Sequence, residues 1–128
     1  MIIMIKYTLS EDGKTMLSIN GSGKLVVPPT VEDFDSEGIK SRNQLCEIVF
    51  SEGCTRIGPG WDIDAYVVID HCAILNEITL PSSMKEVDEN AFSNFDCIEY
   101  VWVPVGMKDY FKRILPKHLA KYVVEQIP

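Results

Sequence analysis

The sequence has no apolar run approaching the roughly twenty residues that a membrane-spanning helix needs. Met1 to Ile5 are apolar, but Lys6 ends that run. No basic region precedes a longer apolar stretch with a small-residue cleavage site, so no export signal is read and a cytoplasmic location is expected. Basic residues are also scarce. The chain holds 12 Lys and Arg against 19 Asp and Glu, a net charge of −7. Nucleic-acid binding needs clustered Lys and Arg to neutralise phosphates, so that class of partner is not expected. Lys108, Lys112, Arg113, Lys117 and Lys121 are the densest basic set, and with Asp109 among them they read as a solvated helix face.

Residues that carry chemistry are equally sparse. Cys46, Cys54, Cys72 and Cys97 are separated by 8, 18 and 25 positions, which fits no C-x-x-C or zinc spacing. They read as free thiols that pack like small apolar residues. The histidines are His71 and His118. His71 adjoins Cys72, but neighbours on a strand point to opposite faces, so no Cys–His dyad is offered. Ser82 and Ser83 have no base nearby in sequence. Gly21, Ser22, Gly23 and Lys24 resemble the end of a phosphate-binding loop, but Ser18 replaces its first glycine and Leu25 its hydroxyl residue. Asp62 and Asp64 form a D-x-D pair without the further oxygen ligands that calcium requires. No catalysis, metal or cofactor is expected.

What is present is ample apolar sequence. Hydrophobic residues make up 46% of 128, enough to bury a single-domain core and too many for a disordered chain. The charge is uneven: residues 1–31 carry +1, residues 32–106 carry −11, and residues 107–128 carry +3. This reads as an acidic, solubilising surface.

Ile3, Ile5, Tyr7 and Leu9 alternate with Met4, Lys6 and Thr8, the period of a strand. Ser10 to Lys14 supply a turn centred on Gly13, and Met16 to Ile19 resume the strand, giving a hairpin. Lys24 to Val27 read as a short extended piece stopped by Pro28 and Pro29, and Thr30 to Asn43 as a polar loop. A repeat then begins. Leu75, Ile78, Leu80 and Pro81 return as Ile98, Val101, Val103 and Pro104, each displaced by 23 residues. Leu45, Ile48 and Phe50 form an earlier copy, displaced by 30, with the seven extra residues inserted between Gly58 and Cys72. Positions two apart on a strand share a face. Leu75, Met84, Val87, Ala91 and Phe92 then fill the return path, so that one coil buries its apolar side only against the next. Beyond the repeats, Met107, Tyr110, Phe111, Ile114 and Leu115 share a helical face that ends at Pro116. Lys117 to Lys121 read as a turn or short second helix, and Tyr122 to Ile127 as a last strand.

Residues 75–98 resemble the BspA-like leucine-rich repeats of bacterial surface and secreted proteins. That coil runs L-x-x-I-x-[IL]-P-x-x-[LV]-x-x-I-x-x-x-A-F-x-x-C-x-x-L. It is matched at Leu75, Ile78, Leu80, Pro81, Met84, Val87, Ala91, Phe92 and Ile98. Phe95 stands at the Cys position, which Cys72 fills in the preceding coil. Tyr7 to Gly23 look like the family's opening hairpin, and Val103 to Tyr110 like its closing segment. The resemblance implies a short leucine-rich-repeat solenoid of about three coils with a parallel β-sheet on one face. It would form one domain, with an N-terminal hairpin cap (1–27), repeats (45–104) and a C-terminal helix-plus-strand cap (105–128). It also implies export or surface display, should the chain be a fragment or mature product.

Leucine-rich repeats usually bind through the exposed sheet face. The outward positions here would form two ladders, Glu47 with Glu77 and Tyr100, and Val49 with Thr79 and Trp102. Tyr100 and Trp102 are residues of the kind that anchor interfaces, unless the C-terminal helix or a loop covers them. Trp61, in the insertion, is either a second recognition element or the anchor of a loop folded over the core. The expected function is a non-catalytic protein–protein interaction module, with Glu47 and Glu77 setting its polarity. The alternative is a carbohydrate-binding or cell-surface adhesion module, because exposed rings also stack on sugars.

Overall fold

The computed structural model describes residues 6–20, 22–34, 44–58, 75–89, 91 and 98–126. The chain opens with a hairpin in which β1 (Lys6–Leu9) pairs antiparallel with β2 (Met16–Asn20). Its turn is tied by the Asp12 carboxylate, which accepts from the Ser10 hydroxyl at 2.7 Å and from the Lys14 N–H at 3.0 Å. Gly13 sits there at φ 75°, the left-handed region that glycine adopts without steric cost.

Two parallel sheets follow. The larger has five strands in the order β10-β9-β7-β5-β3. These are β3 (Ser22–Val26), β5 (Gln44–Val49), β7 (Glu77–Thr79), β9 (Tyr100–Val103) and β10 (Val123–Glu125). The smaller has three short strands, β4 (Asp33–Phe34), β6 (Arg56–Ile57) and β8 (Glu86–Val87), in that order. The chain passes from a strand of the large sheet through a turn to a strand of the small one. Parallel sheets with few helices, stacked in this way, are compatible with a small β-rich, solenoid-like fold.

The same turn closes each step. Val31 N–H bonds the Pro28 carbonyl, Cys54 that of Ser51, Met84 that of Pro81 and Met107 that of Pro104, at 3.1–3.2 Å. Side chains then stack in register behind the large sheet. Leu25, Ile48, Ile78 and Val101 form one buried row, and Val27, Phe50, Leu80 and Val103 the next. Phe34, Ile57 and Val87 close the core from the small sheet. Phe34 and Phe50 meet edge to face with ring centres 4.9 Å apart. The turn at Gly53 (φ 110°) is so tight that a Cβ there would lie 2.8 Å from the Pro29 carbonyl oxygen.

The stacked series thus starts earlier than the sequence reading has it. Lys24 to Val26 are not an appendage of the hairpin but part of β3, paired with β5. The segment read as a polar loop contains β4, with Val31 and Phe34 fully buried. The reason is local: Val31 and Phe34 are the apolar members of Thr30 to Phe34, at the spacing that puts both inside the turn.

At the far end, α1 (Lys108–Ile114) and α2 (Lys117–Ala120) lead into β10, which pairs with β9. Phe111, Leu115, Leu119 and Val123 are buried there. The Tyr110 hydroxyl donates to the Met84 carbonyl at 2.6 Å, and His118 Nε2 donates to the Ala91 carbonyl at 2.8 Å. These bonds fasten the helices to the preceding turn of chain. Among the described residues, no helix is long and apolar enough to cross a membrane.

Candidate functional site

The outward face of the large sheet follows from register. Pairing of Glu47 with Glu77 and of Glu77 with Tyr100 makes one ladder, and pairing of Val49 with Thr79 and of Thr79 with Trp102 makes the other. Each alternates with a buried residue, so the period of two read from sequence is the one the strands use. Both ladders continue into the strands at Lys24 to Val26 and Val123 to Glu125, which the sequence reads as extended but does not assign to this sheet. Lys24 pairs with Glu47 and Val26 with Val49 on β3, and Val124 pairs with Trp102 on β10. The signal was there in Lys24 to Val27, whose alternate members face alternate sides. Their pairing partner is β5, the copy at Leu45 to Phe50, so they extend the repeat series one strand towards the N-terminus.

Tyr100 is 42% exposed and Val26 52%, so the face is open to solvent at both residues. The Tyr100 and Trp102 rings are stacked, with centres 5.2 Å apart and planes 23° from parallel. The Trp102 indole N–H donates to Glu77 Oε1 at 2.8 Å. This bond runs diagonally, from Trp102 to the residue opposite its neighbour Tyr100. It satisfies the indole donor and leaves the aromatic surface as what the residue presents. Lys24 Nζ lies 3.8 Å from Glu47 Oε2.

The opposite side of the fold carries a different arrangement. Arg56 lies between Asp33 and Glu86, its partners in register, at 3.0 and 3.3 Å. The Glu52 carboxylate accepts from the Ser82 N–H at 2.7 Å, the Ser82 hydroxyl at 2.6 Å and the Ser83 N–H at 3.2 Å. The Ser82 hydroxyl bond leads the causes holding its pKa below the ordinary glutamate value. These contacts join successive turns to one another. Ser82 and Ser83 are thereby engaged in tying the coils together.

Of the cysteines, Cys54 is free and fully buried, and burial raises its thiol pKa to about 11. Cys46 is free and half-buried. Trp61, His71, Cys72, Cys97 and the aspartates of the D-x-D pair lie outside the described residues. Among the described residues, no group of three or more His, Cys, Asp or Glu is placed to hold a metal ion. No family model matches the chain, and neither a curated protein nor a solved structure matches it significantly.

Proposed function

We propose that the chain is a non-catalytic protein-interaction module built as a short BspA-like leucine-rich-repeat solenoid, which binds through the open face of its larger parallel sheet. The observation that carries this reading is the stacked Tyr100–Trp102 pair, held on that face by the Trp102–Glu77 hydrogen bond. Rings of this size contribute large contact area, and their two side-chain torsions cost little entropy to immobilise. The β-branched residues Thr79 and Val124 flank Trp102, and Val49 and Val26 continue the ladder beyond Thr79 on stiff strands, so the surface is organised before a partner arrives. Its residues come from strands locked by backbone pairing, which suits a rigid docking surface.

The test compares the wild-type chain with the Tyr100→Ala/Trp102→Ala variant as immobilised bait, both shown to be folded by circular dichroism. Bait is exposed to lysate and to culture supernatant of the producing cells. A protein retained by wild type and lost by the variant is the expected result. A protein retained equally by both removes the site from this face. Loss of retention on a polysaccharide panel instead, with no protein retained, would favour the carbohydrate-adhesion reading.

A further inference from the structure

The charges on the open face are not balanced, and the imbalance falls beside the aromatic pair. One ladder reads Lys24, Glu47, Glu77, Tyr100 across four strands. Neighbouring strands lie about 4.8 Å apart, and like charges placed directly opposite each other disfavour the sheet. Glu47 has Lys24 Nζ at 3.8 Å, an exposed ammonium beside a half-buried carboxylate. Glu77 has no such cation: among the described residues, no Lys, Arg or His is ion-paired with it. Its Oε1 accepts the Trp102 indole N–H, which fixes the carboxylate against the ring stack. A fixed carboxylate with no paired cation among the described residues and two stacked rings, one of them 42% exposed, therefore meet at one place, with the Lys24-paired Glu47 on the next strand.

We infer that this place receives an arginine side chain of the partner, carried on an extended basic segment lying across the face. The inference rests on the proposed interaction role of the sheet and specifies its partner's chemistry. Guanidinium suits this place better than ammonium. It is planar, so it stacks on an aromatic face while its edge donates to a carboxylate, and it is more weakly hydrated than a lysine ammonium. The second ladder, running Val124, Trp102, Thr79, Val49 and Val26 across the five strands, provides a largely apolar floor for the rest of the segment. Lys24 already shows that a cation is accommodated beside Glu47.

The experiment uses the full chain and three blocked pentapeptides of alternating glycine and one other residue: arginine, its neutral isostere citrulline, or lysine. The readout is the Trp102 indole N–H resonance, assigned by its disappearance in Trp102→Phe. The arginine peptide should shift that resonance saturably, and citrulline should weaken binding at least tenfold. Glu77→Gln should also weaken it at least tenfold. Glutamine retains an amide oxygen to accept the indole bond, so this variant removes charge without removing the acceptor. Lysine should bind several-fold more weakly than arginine, and added salt should weaken both. Absence of a saturable shift in the millimolar range overturns the inference, as does equal binding of arginine and citrulline peptides. Equal binding of lysine and arginine overturns the guanidinium assignment, and unchanged binding by Glu77→Gln overturns the site. If the peptides fail while a protein is still lost from the Tyr100→Ala/Trp102→Ala bait, the interaction reading stands and the arginine inference falls.

Discussion

Trp102 and Glu77 are joined by a 2.8 Å hydrogen bond between the indole N–H and Oε1, although Glu77 stands in register with Tyr100 and not with Trp102. The bond therefore crosses the ladder diagonally and anchors the ring on which Tyr100 stacks. Glu77→Ala should remove the acceptor and cost about 0.5–1.5 kcal/mol, the ordinary net value of such a bond. It should also move the Trp102 indole N–H resonance upfield and speed its exchange with water. An unchanged resonance would mean that the bond does not hold the ring in solution.

Phe34 measures how far the stacked core extends. It is fully buried against Phe50 from a segment whose polar sequence looks like a loop. Phe34→Ala should cost roughly 3–5 kcal/mol in denaturant unfolding, the range for emptying a large core site. A loss near zero would place the segment outside the cooperative core.

How much of this was legible in the sequence depends on the copy. The coil at Leu75 to Ala91 stands out because Pro81 punctuates it and its apolar positions are uninterrupted. The earliest copy has the same spacing: Leu25, Val27, Pro28, Val31 and Phe34 each lie 53 residues before Ile78, Leu80, Pro81, Met84 and Val87. It was obscured by the second proline, Pro29, which reads as a break, and by the acidic residues between the two that are buried. The hairpin turn at Gly13 and the helix after Gly106 were readable from local chemistry alone. For the face, alternation gave the two ladders, since side-chain direction on a strand is fixed by period. It could not give the diagonal bond or the ring stacking, which depend on rotamers chosen in three dimensions.

Glu52 should confer an acid-sensitive share of stability. Hydrogen bonds, first that from the Ser82 hydroxyl, hold its pKa below the ordinary value near 4.5. A carboxylate whose folded pKa is depressed binds protons more readily when unfolded. Its contribution is therefore full above the ordinary pKa and is lost as pH falls through the lowered one. The stability gap between wild type and Glu52→Gln should be constant near neutrality and close in that acidic window. A gap that instead changes between pH 6 and about 8, where carboxylates do not titrate, would contradict the assignment.

Cys54 should be inert in the native protein. Its thiol is fully buried and its pKa is raised to about 11, so almost no thiolate exists at neutral pH. Labelling with a thiol reagent at pH 8 or so, mapped by mass spectrometry, should leave Cys54 unmodified until the chain is unfolded. Half-buried Cys46 should react earlier. Cys54 labelling at the rate of an exposed thiol would show that the turn at Ser51 opens readily.

The most direct test of the open sheet face as the interaction surface is site-specific photo-crosslinking in the producing cells. A benzophenone amino acid is placed at Tyr100 in one protein and at Lys85, exposed beside the smaller sheet, in another. A partner captured from position 100 and not from position 85 is the predicted result. Capture from position 85 alone would contradict the account and move the binding surface to the other side of the fold.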